Sequence, residues 1–200
     1  MITVLGISGS LRWPSRTHTM MDIALSSARE SGARIELLDL RTYALPLFDP
    51  QRIRNFPLIE EVRERMDDAH AYVIGTPEYH GSYSGVLKNL FDYLANEISG
   101  KVCGLVVAAG TDQGISALSQ LQTMIHYLHA WTLPYGVTAS GDDFDNSGQL
   151  ATSGIRDALT RLGRDVTVYG DLIYDRFSHD RVAGGGAKLG FAPWYAEKVG

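Results

Sequence analysis

The sequence predicts an α/β fold: a doubly wound parallel sheet of five strands in the order 2-1-3-4-5, with helices on both faces. Three observations carry this expectation. Strand-like stretches alternate with segments of helical periodicity, which is the signature of βαβ units. Right-handed crossovers leave few ways to wind such units. Polar loops follow strands 1 and 3, and the chosen order sets those two strands beside the switch point, where open sheets bind ligands outside the carboxyl ends of their strands.

Strand 1 is read at residues 2–7, and a helical stretch runs from the loop ending in Thr17 to about Glu30. Strand 2 covers 34–40. The stretch 43–50, Tyr-Ala-Leu-Pro-Leu-Phe-Asp-Pro, has turn chemistry and reads as a long loop. A helix at 58–66 precedes strand 3 at 71–76. In the next helix, Val86, Leu87, Leu90, Phe91 and Leu94 repeat as one buried face. Strand 4, 102–109, contains Cys103, the single cysteine, which reads as a buried small hydrophobe. Ala117, Leu118, Leu121, Ile125 and Leu128 form the stripe of the helix after Gly114, and Met124, Tyr127 and Trp131 lie off it. Those surplus apolar positions suggest self-association. Strand 5 is placed at 133–138 and a last helix at 155–162.

Two hundred residues, 44% hydrophobic and 20% charged, suit one domain with a sizeable core. A net charge of −5 with no Lys/Arg run longer than two argues against a nucleic-acid partner. No apolar stretch approaches the ~20 residues that span a bilayer, so no membrane partner is expected and the location is read as cytoplasmic. His126 and His129 share a helix face without an evident third ligand, so no metal site is assigned. Neither a G-x-S-x-G elbow nor an H-E-x-x-H motif offers hydrolytic chemistry.

Two loops carry the chemistry. The first, Ser8-Gly9-Ser10-Leu11-Arg12-Trp13-Pro14-Ser15-Arg16-Thr17, puts hydroxyls and a guanidinium before a helix N-terminus, which suits a phosphate dianion. Gly6-Ile7-Ser8-Gly9-Ser10-Leu11 does not fit G-x-G-x-x-G, which weakens a dinucleotide-binding reading. The bland alternative is that these hydroxyls only cap the helix. The second loop, Gly75-Thr76-Pro77-Glu78-Tyr79-His80-Gly81-Ser82-Tyr83-Ser84-Gly85, ends a buried strand with a flat aromatic and opens a helix, which suits a ring.

Together, Gly9-Ser10-Leu11-Arg12-x-x-Ser15-x-Thr17 and Pro77-Glu78-Tyr79-His80-Gly81-Ser82-x-Ser84-Gly85-x-Leu87-Lys88-Asn89 resemble the NADPH-dependent FMN reductase family, flavodoxin-like enzymes that include quinone, azo and chromate reductases. The resemblance implies that Ser10, Arg12, Ser15 and Thr17 bind the FMN phosphate. It implies that Pro77, Glu78, Tyr79, His80, Gly81 and Ser82 line the isoalloxazine. Thr17 and His80 stand where Asn is common in the family. Gly110, Thr111, Gln113 and Gly114 match the family's third loop loosely and are added as cofactor-binding positions. His80 is open to three readings, proton donor, substrate contact or loop residue, and Lys88 and Asn89 are expected to organise the loop or a subunit contact.

The implied function is an FMN-dependent oxidoreductase in which NADPH or NADH reduces the flavin, and a small-molecule acceptor such as a quinone, nitro or azo compound, free flavin or metal oxyanion reoxidises it by a ping-pong mechanism. Hydride transfer at flavin N5 needs no side-chain acid or base, so no catalytic residue is assigned. The alternative is a flavodoxin-like FMN electron carrier serving a protein partner. A homodimer or homotetramer is expected. Residues 1–182 are expected to form the single FMN-binding domain, and 183–200, a triple glycine followed by Phe191, Trp194 and Tyr195, to be either a frayed end or an interface arm.

Overall fold

The computed structural model describes residues 1–51, 56–110 and 113–182, with side chains through His179. In chain order the elements are β1 (Thr3–Ser8), α1 (Arg16–Glu30), β2 (Arg34–Asp39), α2 (Pro57–Asp68), β3 (Ala71–Pro77), α3 (Gly85–Asp92), β4 (Val102–Ala108), α4 (Ile115–Tyr127), β5 (Trp131–Thr132), β6 (Val137–Ala139) and α5 (Ser153–Val182). The sheet runs β2-β1-β3-β4, and β5 and β6 both pair with β4. Every pairing is parallel, with Val4 opposite Ile35 and Ala71, and Tyr72 opposite Cys103. The order 2-1-3-4-5 expected from the sequence is the order found.

The pleat divides the central strands between two cores. Val4, Val73 and Val106 face α1 and α5, where Met20, Ala24, Leu159, Leu162 and Val166 cover them. Leu5, Tyr72 and Ile74 face the other way, against Val62, Met66, Leu87, Leu90, Leu121 and Ile125 of α2, α3 and α4. Strands β3 and β4 are buried along their whole length, as strands covered on both faces must be. Cys103 is fully buried, which pushes its thiol pKa up.

Two elements depart from the sequence reading. The fifth strand is not continuous over 133–138 but is two short pieces. Leu133 N–H still donates to Cys103 O at 3.1 Å, then Pro134 has no N–H to continue the ladder, and pairing resumes at Val137 opposite Val106. The last helix is 30 residues long and runs to Val182, far beyond 162. Glycines explain why so long a helix can lie this close. A Cβ at Gly163 would sit 1.9 Å from Ala24 O of α1, and one at Gly170 would sit 2.7 Å from the Ala71 side chain.

Candidate FMN-binding site

At the carboxyl edge of the sheet, loop 1 leaves β1 and enters α1. Ser15 caps that helix, its hydroxyl accepting from His18 N–H at 3.3 Å, and Ser10 accepts from Arg12 N–H at 3.3 Å. Ser10 and Thr17 are almost fully buried, and the Thr17 methyl lies where a Cβ on Gly75 would meet it at 3.0 Å. Arg12 is exposed. Among the described residues the N–H groups of Leu11, Trp13, Ser15, Arg16 and Thr17 have no acceptor, and the Arg12 guanidinium has no carboxylate partner. Unmatched donors at a helix N-terminus with a cation nearby have the chemistry that suits an anion.

Loop 3 follows β3 and is a tight hairpin. Tyr79 and Ser82 exchange backbone hydrogen bonds at 2.9 and 3.1 Å, and between them His80 (φ 53°) and Gly81 (φ 78°) both lie in the left-handed region. That pair of positive φ values is the primed two-residue turn. It also accounts for His80 at a position the family often fills with Asn, because both tolerate that conformation better than most residues. Helix α4 clamps the turn from outside: Ser116 Oγ and Gln120 Nε2 both donate to Gly81 O, at 2.7 and 2.8 Å, and Ser82 Oγ donates to Gln120 Oε1 at 2.7 Å.

Glu78 is turned away from the cleft side of this turn. Its carboxylate accepts from Ala117 N–H at 3.2 Å and caps α4, whose own cap residue Gly114 (φ 72°) has no side chain to do so. The N–H groups of Glu78, Tyr79 and Ser82 are committed within the fold, whereas those of His80 and Gly81 have no acceptor among the described residues. Tyr79 is 53% exposed, leaving a flat ring at the mouth.

The two loops are riveted together by Ser84, which sequence reasoning quoted only as part of a motif. Its hydroxyl donates to Gly9 O at 2.7 Å and caps α3 by accepting from Leu87 N–H, while its N–H donates to Thr76 Oγ1 at 3.0 Å. Gly9 N–H returns to Gly75 O at 2.8 Å. A side chain on Gly9 would meet Ser84 Oγ at 2.8 Å, so glycine is required for this approach.

Other residues complete the rim. Asn89, expected to organise the ring loop or a subunit contact, instead holds the 43–50 segment: it accepts from Phe48 N–H and donates to Pro46 O, both at 2.8 Å, and Tyr93 OH joins at Pro46 O. Lys88 pairs with Asp92 on the exposed side of α3. Gly110 O accepts from Gly141 N–H at 2.7 Å, and Arg16, which the sequence reading left unassigned, stacks its guanidinium 5.2 Å from the Phe144 ring centroid beside them. Gln113 is exposed at the start of α4; Thr111 lies outside the described residues. His126 bonds Thr132 Oγ1 at 3.0 Å through Nε2.

A parallel 2-1-3-4-5 sheet with polar loops after β1 and β3 at its carboxyl edge defines a flavodoxin-like protein. The profile of the NADPH-dependent FMN reductases matches residues 2–145, and the chain belongs to that family. It is 32% identical over 168 residues to a NAD(P)H-dependent FAD/FMN reductase of Geobacillus thermodenitrificans, covering 82% of this chain and 90% of that one. It is also 32% identical over 139 residues to an NADPH azoreductase of Bacillus sp. strain OY1-2, covering 67% and 78%. Among solved structures, the flavoenzyme NAD(P)H:(acceptor) oxidoreductase FerB of Paracoccus denitrificans superposes with a TM-score of 0.69 at 19% identity, over 86% of this chain and 99% of that one. An FMN-dependent NADH-azoreductase of Bacillus anthracis, solved with FMN, gives 0.62 at 18% identity, over 82% and 100%. These two likenesses are of fold. The family are oxidoreductases of FMN and NAD(P)H, and the unmatched donors of loop 1 fit the phosphate of that cofactor.

Proposed function

We propose that this chain binds FMN with its phosphate in loop 1 and its ring against loop 3, and uses NADPH or NADH to reduce a small-molecule acceptor. The observation that carries the reading is the Ser84 rivet, which fixes an anion nest and a ring ledge at one spacing. FMN, when bound, supplies hydride acceptance and electron release. The residues supply placement. Arg12 and the open N–H groups from Leu11 to Thr17 would hold the phosphate, with Ser10, Ser15 and Thr17 around it. Pro77 and Tyr79 would flank the ring, and the His80 and Gly81 N–H groups would meet its polar edge. Glu78 and Ser82 would act by shaping the turn, and Gly110, Thr111, Gln113 and Gly114 would close the far side.

The exposed Tyr79 ledge supports a single open face that nicotinamide and acceptor use in turn, which is a ping-pong scheme. Quinones, nitro or azo compounds, free flavin and metal oxyanions are the acceptor classes such an open face would admit. A homodimer or homotetramer is part of the reading: Tyr127 is 84% and Trp131 52% exposed, and Tyr127 and Met124 line a mostly apolar cavity of about 690 Å³ between α3 and α4. Light scattering that gives a monomer at micromolar concentration would remove it. We take residues 1–182 as the FMN-binding domain of a cytoplasmic protein. The arm proposed at 183–200 falls outside the described residues, and deleting it should lower assembly or change acceptor preference without loss of FMN. The main test is the absorption spectrum of the purified protein, then its bleaching under NADPH or NADH without oxygen. Bound flavin that neither nicotinamide bleaches would support the electron-carrier alternative.

A further inference from the structure

The tryptophan of loop 1 is mounted rather than packed. Trp13 is 67% exposed, yet two side chains hold its ring. The Arg41 guanidinium stacks on it, 4.4 Å from the ring centroid, and Arg41 is itself tied to Asp39 at the end of β2, its N–H and guanidinium donating at 3.0 and 3.1 Å. The His18 ring of α1 meets the indole in an edge arrangement with centroids 5.8 Å apart, and His18 Nε2 stands 3.6 Å from Asp39 Oδ1. Helix α1, loop 1 and β2 thus form one wall behind the ring. With Arg41 over one face, most of the indole still meets water, although a tryptophan has more apolar area to gain from burial than almost any other side chain.

We propose that the Trp13–Arg41 stack is a platform for the adenine of an adenylate-bearing ligand, the outer half of NAD(P)H or of FAD. The inference rests on the functional reading above, which seats the FMN phosphate in loop 1 and gives the nicotinamide the Tyr79 face, but leaves the adenosine half of a dinucleotide without a contact. A purine stacks on an indole through its π-face alone, and a guanidinium can share the same stack. Because Asp39 fixes Arg41 before any ligand arrives, little side-chain freedom is lost when a flat group lands on the ring. The reach is suitable as well. Strands β2 and β3 lie on either side of β1, so their carboxyl ends stand two strand spacings apart, about 10 Å, a gap that two nucleotides joined by a pyrophosphate can cross. Arg12, next to Trp13 in the chain and without a carboxylate partner among the described residues, keeps that rim positive. Trp13 is thus a specificity-determining residue, and Arg41 positions it.

The experiment titrates the full chain and its Trp13→Ala, Trp13→Phe and Arg41→Ala variants. NADP⁺ is added to the FMN-loaded protein and followed by calorimetry; FAD and FMN are added separately to the flavin-free protein and followed by fluorescence. NADP⁺ carries no hydride, so its binding is read without turnover. The expected result is that Trp13→Ala weakens NADP⁺, FAD or both by about tenfold, the equivalent of about 1.4 kcal/mol, while FMN binds as in the parent. Trp13→Phe should keep most of that affinity, and Arg41→Ala should lose a few-fold on the same ligand. The ligand that weakens names the source of the adenylate. Unchanged affinity for both NADP⁺ and FAD overturns the platform, and so does a loss for FMN as large as theirs, because the indole would then only shape loop 1. NADPH that fails to bleach bound flavin removes the reductase reading and leaves the platform to these titrations. Nicotinamide that bleaches the flavin but binds without regard to Trp13, with FAD equally indifferent, removes the platform and leaves the reductase reading.

Discussion

The two ends of the sheet both gather polar side chains, and they treat them in opposite ways. At the amino edge Lys101 is buried, yet its Nζ donates to Met66 O at 3.1 Å and Asp67 O at 2.6 Å, capping the last turn of α2, and to Tyr72 OH at 3.4 Å. Glu97, also buried, takes Arg63 Nε at 2.5 Å and Ala95 N–H at 2.6 Å. Tyr72 OH bonds Met66 O and Glu97 O. At the carboxyl edge the N–H groups of Leu11, Trp13, Ser15, Arg16 and Thr17 and the two ring nitrogens of His18 have no hydrogen-bond partner, and the Arg12 guanidinium no carboxylate, among the described residues. Buried polarity by itself does not mark a site. Completed polarity holds the fold, and incomplete polarity at a rigid mouth awaits a ligand.

The largest expected effect breaks the completed end. Lys101→Met would remove a buried donor from Asp67 O, Met66 O and Tyr72 OH, of which Met66 O keeps only the Tyr72 hydroxyl, and should cost about 2–4 kcal/mol of unfolding free energy. Denaturant midpoints would fall while FMN affinity of the folded fraction stays level. A variant of normal stability that binds FMN poorly would reverse the roles assigned to the two edges. Next comes the incomplete end. Arg12→Ala should weaken FMN by ~10–100-fold, roughly 1.5–3 kcal/mol for one charge-assisted contact, and leave both riboflavin affinity and the melting temperature unchanged. Fluorescence titration with each flavin reads this directly.

A smaller effect distinguishes the two loops within the carboxyl edge. Gln120→Ala removes a donor to Gly81 O and the acceptor of Ser82 Oγ, loosening the ring turn by about 1 kcal/mol. If, as proposed, the turn meets the ring and not the phosphate, FMN and riboflavin should weaken by the same few-fold. Loss confined to FMN would mean that loop 3 does not hold the ring.

The carboxyl edge was also the part most legible in the sequence. Loop 1 and loop 3 are local in the chain, so their residue types state their chemistry, and the order β2-β1-β3-β4 followed from buried strands alternating with helices. What was hidden depends on contacts distant in sequence. Helix α5 beyond 162 contains Thr167-Val168-Tyr169-Gly170, a run that favours strand or turn by propensity, and only the approach to Ala24 and Ala71 shows why glycine and helix coincide there. Glu78 reads as a ring residue until Gly114 leaves α4 without a side-chain cap. The Lys101, Tyr72 and Glu97 cluster joins three separated segments, and the His18 wall joins α1, loop 1 and β2. No spacing rule within a single element would have brought either together.

The smallest predicted effect concerns a carboxylate at the carboxyl edge that is already committed, and it tests whether completion rather than location decides a group's role. Asp143 follows β6. Its Oδ2 accepts from Ser140 N–H at 2.8 Å and Ser140 Oγ at 3.0 Å, and its Oδ1 from Thr152 Oγ1 at 2.8 Å. The backbone bond from Ser140 is the main cause that holds its pKa below the ordinary value, with the two hydroxyls assisting against the cost of burial. A carboxyl depressed in the folded state adds stability above its unfolded pKa of ~3.9 and loses it as the pH falls through the folded value. Asp143→Asn keeps the shape but replaces one acceptor oxygen by an amide, so it should cost about 0.5–1 kcal/mol near neutral pH, the scale of a lost cap. The difference from the parent should shrink to nothing as the pH drops through the depressed folded value, when the parent carboxyl is protonated too. FMN affinity should not move at any pH where the protein is folded. If urea midpoints of the two proteins stay apart in acid, or if the substitution weakens FMN while sparing stability, then position at the mouth and not hydrogen-bond completion determines what a polar group does there.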